Sequence, residues 1–229
     1  MWGSRSTRGI ALAGTALAAV FAAGPVTNAF ADEDTPPPLV CQGDLFTDPA
    51  GDAMDTTLPV LSLAGQDNED ILGATISSTD GAVAVTIKIK DMAKTLPSDA
   101  TGLAWYFGYQ VDGADPVWVG VTTDGTSYTF NRGTITDTQG SVLYNTTSTS
   151  SGTVTEGTNG TITLDLPDAG SGDEITGTWA EADQELGAEV AGTGFSSLPR
   201  ADTAPDAGGY NGTNAGDFTV DGCGTPADS

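Results

Sequence analysis

Two alternating runs that meet at Asp80-Gly81 constrain this chain most. Ile71 to Ser78 and Val83 to Ile89 flank that dipeptide. Asp-Gly between such runs signals a hairpin, because the tight turn needs residues that tolerate positive φ. In the second run Val83, Val85, Ile87 and Ile89 share one side, and Ala84, Thr86, Lys88 and Lys90 share the other. A period of two fits a strand with one face in a core and one in water. The rhythm continues along the chain. Leu103 to Val111 places Trp105, Phe107, Tyr109 and Val111 together, then ends at Asp112-Gly113. Val117 to Thr122 sets three valines opposite Trp118 and ends at Asp124-Gly125. Ser127 to Ile135 and Thr161 to Leu166 follow, the latter stopped by Pro167.

Short strands joined by tight turns predict an all-β protein, an antiparallel two-sheet β-sandwich of jelly-roll-like form. Residues 141–159 are rich in Ser, Thr and Gly and read as short edge strands and loop. Ile175 to Glu181 reads as a strand, Ala180 to Val190 as a helical turn or two, and 196–216 as a long C-terminal surface loop. A last short strand, Phe218 to Val220, leads to Cys223.

The N-terminus is of another kind. Arg5 and Arg8 precede an apolar run from Ile10 to Ala23, and Ala29-Phe30-Ala31 supplies a small-x-small cleavage site. That order is a secretory signal peptide, and its apolar part is short of the ~20 residues of a membrane span. The expected mature protein is secreted, with no membrane span. Its organisation reads as a signal over 1–31, a flexible acidic and Pro-rich leader over 32–40, one domain over 41–223 and a tail over 224–229.

Charge and missing residue types narrow the function. Seven basic residues stand against 31 acidic ones, a formal charge of −24. Nucleic acid is excluded as a partner, because phosphate binding needs Lys and Arg clusters. The chain has no His, which removes Ser-His-Asp and Cys-His catalysis and His-based zinc sites. The two cysteines, Cys41 and Cys223, lie near the two ends of the mature chain. In an exported protein they are expected to pair.

Several segments together resemble a known group. They are Thr47-Asp48-Pro49-Ala50-Gly51-Asp52-Ala53, Asp70 to Ser77, the strand Val83–Ile89 with the aromatic strand after it, Thr161–Pro167, and Asp202-Thr203-Ala204-Pro205-Asp206. This order resembles β-sandwich accessory domains of exported bacterial and archaeal proteins, related to family-nine-like carbohydrate-binding modules and DOMON-like domains. The resemblance covers roughly 41–223. It implies a sandwich fold, a sugar-binding type of function with aromatic rings as stacking platforms, and in some members a structural calcium near the opening acidic loop. It departs from the pattern in one respect, since such domains are usually appended to an enzyme.

Candidate sites follow from the residues. Asp48, Asp52, Asp55 and Asp70 form an acidic set around a Pro-Ala-Gly turn. Calcium takes six to eight oxygen ligands, so this set is the candidate Ca2+ site, although the EF-hand spacing is absent. The same aspartates also suit plain turn chemistry. Trp105 and Tyr109 read as core. Tyr106 and Trp118 point away from the core faces and are the candidates for an exposed ligand platform. Paired carboxylates arise by chance in so acidic a chain, so no enzyme is expected and a carboxylate glycosidase is the least favoured reading. The leading expectation is an exported binding module for extracellular carbohydrate or envelope glycan. A secreted protein–protein interaction or surface structural protein is the alternative.

Overall fold

The computed structural model describes residues 40–53, 66–96, 100–138, 141–186, 200–206 and 215–222. The signal and leader readings, Asp55, Cys223 and the tail lie outside them. All described residues belong to one compact unit within Pro38–Ser229.

The strands in chain order are β1 (Val40–Thr47), β2 (Ile71–Thr79), β3 (Ala82–Met92), β4 (Ala100–Val111), β5 (Val117–Thr123) and β6 (Tyr128–Thr138). They continue as β7 (Ser141–Thr149), β8 (Gly152–Thr155), β9 (Gly157–Asp165), β10 (Glu174–Leu186), β11 (Arg200–Ala204) and β12 (Phe218–Thr219). One sheet has the order β1-β2-β3-β9-β8, and the other β11-β10-β4-β5-β6-β7 with β12 beside β10. Every pairing is antiparallel. The protein is a two-sheet, all-β sandwich. Among the described residues no helix is long and apolar enough to cross a membrane.

The period-two pattern explains the core. Val83, Val85, Ile87 and Ile89 of β3 are buried, as are Ile162 and Leu164 of β9. They face Leu103, Trp105, Phe107 and Tyr109 of β4 and Val119 and Val121 of β5 in one cluster. Burying each large aliphatic side chain stabilises the fold by about 1.5–3 kcal/mol. At the hairpin that opens this core, Asp80 and Gly81 have φ of 51° and 81°, the left-handed values the turn demands.

Two expectations need correction. Residues 180–186 continue β10 rather than forming helical turns. Their Ala, Glu and Gln favour helix, but pairing with β4 from Ile175↔Val111 to Leu186↔Ala100 outweighs that weak preference. The C-terminal stretch read as loop contains β11, which pairs with β10 at Ala180↔Ala204 and Ala182↔Asp202.

The larger sheet is packed on its outer face as well. Tyr106 and Tyr144 stack with centroids 4.3 Å apart and planes at 4°. Trp118 meets both edge-on, at 5.1 and 6.0 Å. These rings lie down on the sheet because glycines sit beneath them. A Cβ at Gly108 would overlap the Trp179 ring, and one at Gly133 would be 2.8 Å from Trp118 Nε1.

Candidate metal centre

The acidic loop leaves the end of β1 through an irregular step. Pairing of β1 with β2 shifts register between Asp44 and Phe46, and pairing of β2 with β3 shifts between Ile71 and Gly73. Gly73 has φ of 143°, and a Cβ there would be 2.6 Å from the Phe46 carbonyl. Such bulges re-aim a chain. Here the chain turns at Asp48, whose N–H donates to the Leu72 carbonyl at 3.1 Å. Gly51, with φ of 92°, then brings Asp52 back.

Asp70 anchors that turn from the start of β2. Its Oδ2 accepts from Gly51 N–H at 2.7 Å and from Lys90 Nζ at 3.0 Å. Lys90 also reaches Asp67 at 2.7 Å, and these two hydrogen bonds raise its ammonium well above the ordinary lysine value. From the opposite sheet, β11 contributes Asp202. Its Oδ2 accepts from Ile71 N–H at 2.7 Å across the sandwich, and its Oδ1 accepts from Thr203 N–H at 2.8 Å. Just beyond β11, Asp206 N–H donates to Asp48 Oδ1 at 3.2 Å.

The result is a concentration of carboxylates. Asp48, Asp52 and Asp202 each offer an oxygen, and these oxygens lie within 4.8 Å of one another. At that separation two unit charges repel by about 3 kcal/mol at an effective dielectric of ~20. Burial first, then the charges of Asp202, Asp52 and Asp206, push Asp48 up to about 7. Asp202 is also pushed to about 7, by burial and by Asp52 and Asp70, against the lowering effect of the Ile71 hydrogen bond. Asp52 is raised by burial and by the charges of Asp206 and Asp70. Four oxygens here are enclosed yet take no hydrogen bond of ordinary geometry: Asp48 Oδ2, both oxygens of Asp52, and Asp70 Oδ1.

This arrangement fits a hard cation. Oxygens around calcium lie 2.3–2.6 Å from it, hence no more than about 5 Å from each other, and the three aspartates meet that limit. The donors are all oxygen, which suits calcium rather than the softer metals that take His and Cys.

The structure brings Asp48, Asp52 and Asp202 together, with Asp70 tied to the same turn through the Gly51 N–H. Sequence reasoning left Asp202 out of the candidate set because about 150 residues separate it from the acidic loop. Its one signal was the Asp202-to-Asp206 segment. The other candidate pair fares differently. Tyr106 and Trp118 are only 6% and 2% exposed, so neither presents an open ring face. They do oppose the main core, but Tyr144 and Ile135 close over that side. A separate hydroxyl-lined cavity of about 150 Å³ lies among Thr101, Thr122, Thr123, Asp124, Ser127 and Thr129. Compared with known proteins, the chain matches no family model, no curated protein and no solved structure.

Proposed function

We propose that this chain is an exported, non-catalytic binding module whose sandwich is closed at one edge by a calcium ion held by Asp48, Asp52 and Asp202. Asp70 holds the Gly51 turn through Oδ2. The carrying observation is the set of enclosed carboxylate oxygens that take no hydrogen bond of ordinary geometry. Buried charge without a partner is costly, and a divalent cation offsets it where hydrogen bonds do not. Calorimetric titration of chelator-treated protein with Ca2+ tests this. One site per chain, weakened at least tenfold in Asp52→Asn, is the expected result; no heat and no shift in melting temperature would overturn it.

The ligand of the module is an extracellular glycan. Support comes from hydroxyls rather than rings. Thr75, Thr86, Thr163 and Thr153 face one another in register across four strands, and Thr86 and Thr163 hydroxyls lie 3.1 Å apart. With the hydroxyl-lined cavity, this surface offers hydrogen bonds suited to a polyhydroxylated partner. Retention on insoluble polysaccharide, released by the matching soluble oligosaccharide, is expected; passage through every such matrix would refute it.

Cys41 and Cys223 pair. Cys41 is buried opposite Ser78 in the β1–β2 register. Ser78 Oγ donates to Asp221 Oδ1 at 2.8 Å and accepts from Asp221 N–H at 3.0 Å. These two bonds hold Asp221, two positions before the second cysteine in sequence, against the β1–β2 pair that carries Cys41. A mass lower by two hydrogens than the reduced chain is expected, and two alkylatable thiols in the native protein would disprove the pairing.

A further inference from the structure

We infer that β11 is a calcium-dependent latch: the ion docks this edge strand onto β10, and its removal releases the strand and uncovers the β10 edge. The inference rests on the calcium reading and adds a regulatory role to the same site.

Three observations carry it. First, β11 has little apolar adhesion. Among its described side chains, Ala204 alone enters the core, and one methyl contributes little to burial. The other inward-facing group is Asp202, a carboxylate 8% exposed. Second, beyond its backbone pairing with β10, the described hydrogen bonds that tie this segment to the rest of the sandwich run through the cation centre. Asp202 holds Ile71 N–H of the opposite sheet, and Asp206 N–H holds Asp48. The same carboxylates repel Asp48 and Asp52 when nothing neutralises them. Third, the acidic cluster carries an independent sign of a ligand. Asp70, whose charge acts on both Asp52 and Asp202, is 1% exposed, and its Oδ1 has no hydrogen-bond partner.

The neighbouring strands differ in kind. β3 and β9 pair over eight positions and bury Ile and Leu between them. β11 is five residues long, with a register shift between Ala182 and Asp183 of β10. Losing the ion therefore acts on β11 first, as local opening confined to a weakly anchored element. An opened β10 presents unpaired backbone groups, the kind of edge on which another strand adds.

Amide hydrogen exchange of the full secreted chain, at pH 7.5 in excess Ca2+ and in excess chelator, tests the latch. Calcium binding is measured by calorimetry on the same preparation. Expected in chelator is at least tenfold faster exchange at residues 202–206, at Ile71 and at β10 residues 180–183, with the β3–β9 ladder unchanged. The Asp52→Asn variant leaves the β10–β11 ladder and the Ile71 N–H to Asp202 bond in place. It should need at least tenfold more Ca2+ to protect residues 202–206. Calcium binding with equal β11 protection in both buffers, or an unshifted midpoint in Asp52→Asn, would overturn the latch and leave the calcium site standing. No calcium binding at all would overturn both.

Discussion

The carboxylate cluster should make the metal-free protein less stable as pH rises through neutrality. An acid held above its unfolded-state value keeps its proton more tightly when folded. Between the ordinary 3.8 and about 7 the folded state therefore binds more protons than the unfolded one, and stability falls across that window, then levels off above it. For Asp202, largely buried, the full interval corresponds to about 4 kcal/mol. Asp48 titrates against the same neighbours and is partly solvated, so its contribution is screened and the two do not add. From pH 5 to pH 7.5 the metal-free protein should lose about 2–3 kcal/mol, or ~5–10 °C in melting temperature for a domain of this size. The comparison that isolates the cluster is Asp48→Asn, which keeps an acceptor for Asp206 N–H but removes one charge. In chelator the variant should melt above the parent at pH 7.5 and show a flatter pH slope. In calcium it should lose most of the parent's gain, which at a hundredfold excess over Kd is about 2.7 kcal/mol. Differential scanning calorimetry at several pH values, with and without Ca2+, reads all of this. An Asp48→Asn slope identical to the parent's would refute the reasoning.

Other substitutions probe the outer-face cluster and the turn before β2. Gly108→Ala places a methyl inside the Trp179 ring and should cost about 1–3 kcal/mol by overpacking, read as a lower midpoint in urea with the strand circular dichroism retained. Tyr144→Phe removes the hydroxyl that donates to Glu181 Oε2 at 3.0 Å and accepts from Trp179 Nε1 at 3.5 Å; leaving buried groups short of that hydroxyl should cost about 1–3 kcal/mol, checked by chemical denaturation. Trp105→Phe deletes the donor to the Asn68 carbonyl at 2.9 Å and opens a void; a loss of about 2–4 kcal/mol is expected, and an unchanged midpoint would show that this bond is not needed to hold the turn before β2.

Legibility in the sequence followed the strength of local patterns. The β2–β3 hairpin was readable because a period-two pattern and Asp80-Gly81 agree. The inner face of β4 was readable because four large residues alternate there. β11 was not, since Arg-Ala-Asp-Thr-Ala has neither periodicity nor large apolar groups, and only pairing with β10 makes it a strand. Trp118 was placed on the correct side, but its burial was missed. Alternation tells which face a residue takes, not whether that face is covered. The signal lay in Gly108, Gly120 and Gly133, small residues that let rings lie flat across neighbouring strands. Part of the carboxylate cluster was legible as a run of aspartates around a turn, and Asp202 joins it only through tertiary folding, from about 150 residues away.

That separation makes the carboxylate cluster a late product of synthesis. A growing chain would already carry the opening loop, yet could not close the proposed cation site until residue 202 had followed. Copies terminated before that point lack Asp202, and ion uptake would report that synthesis had passed it.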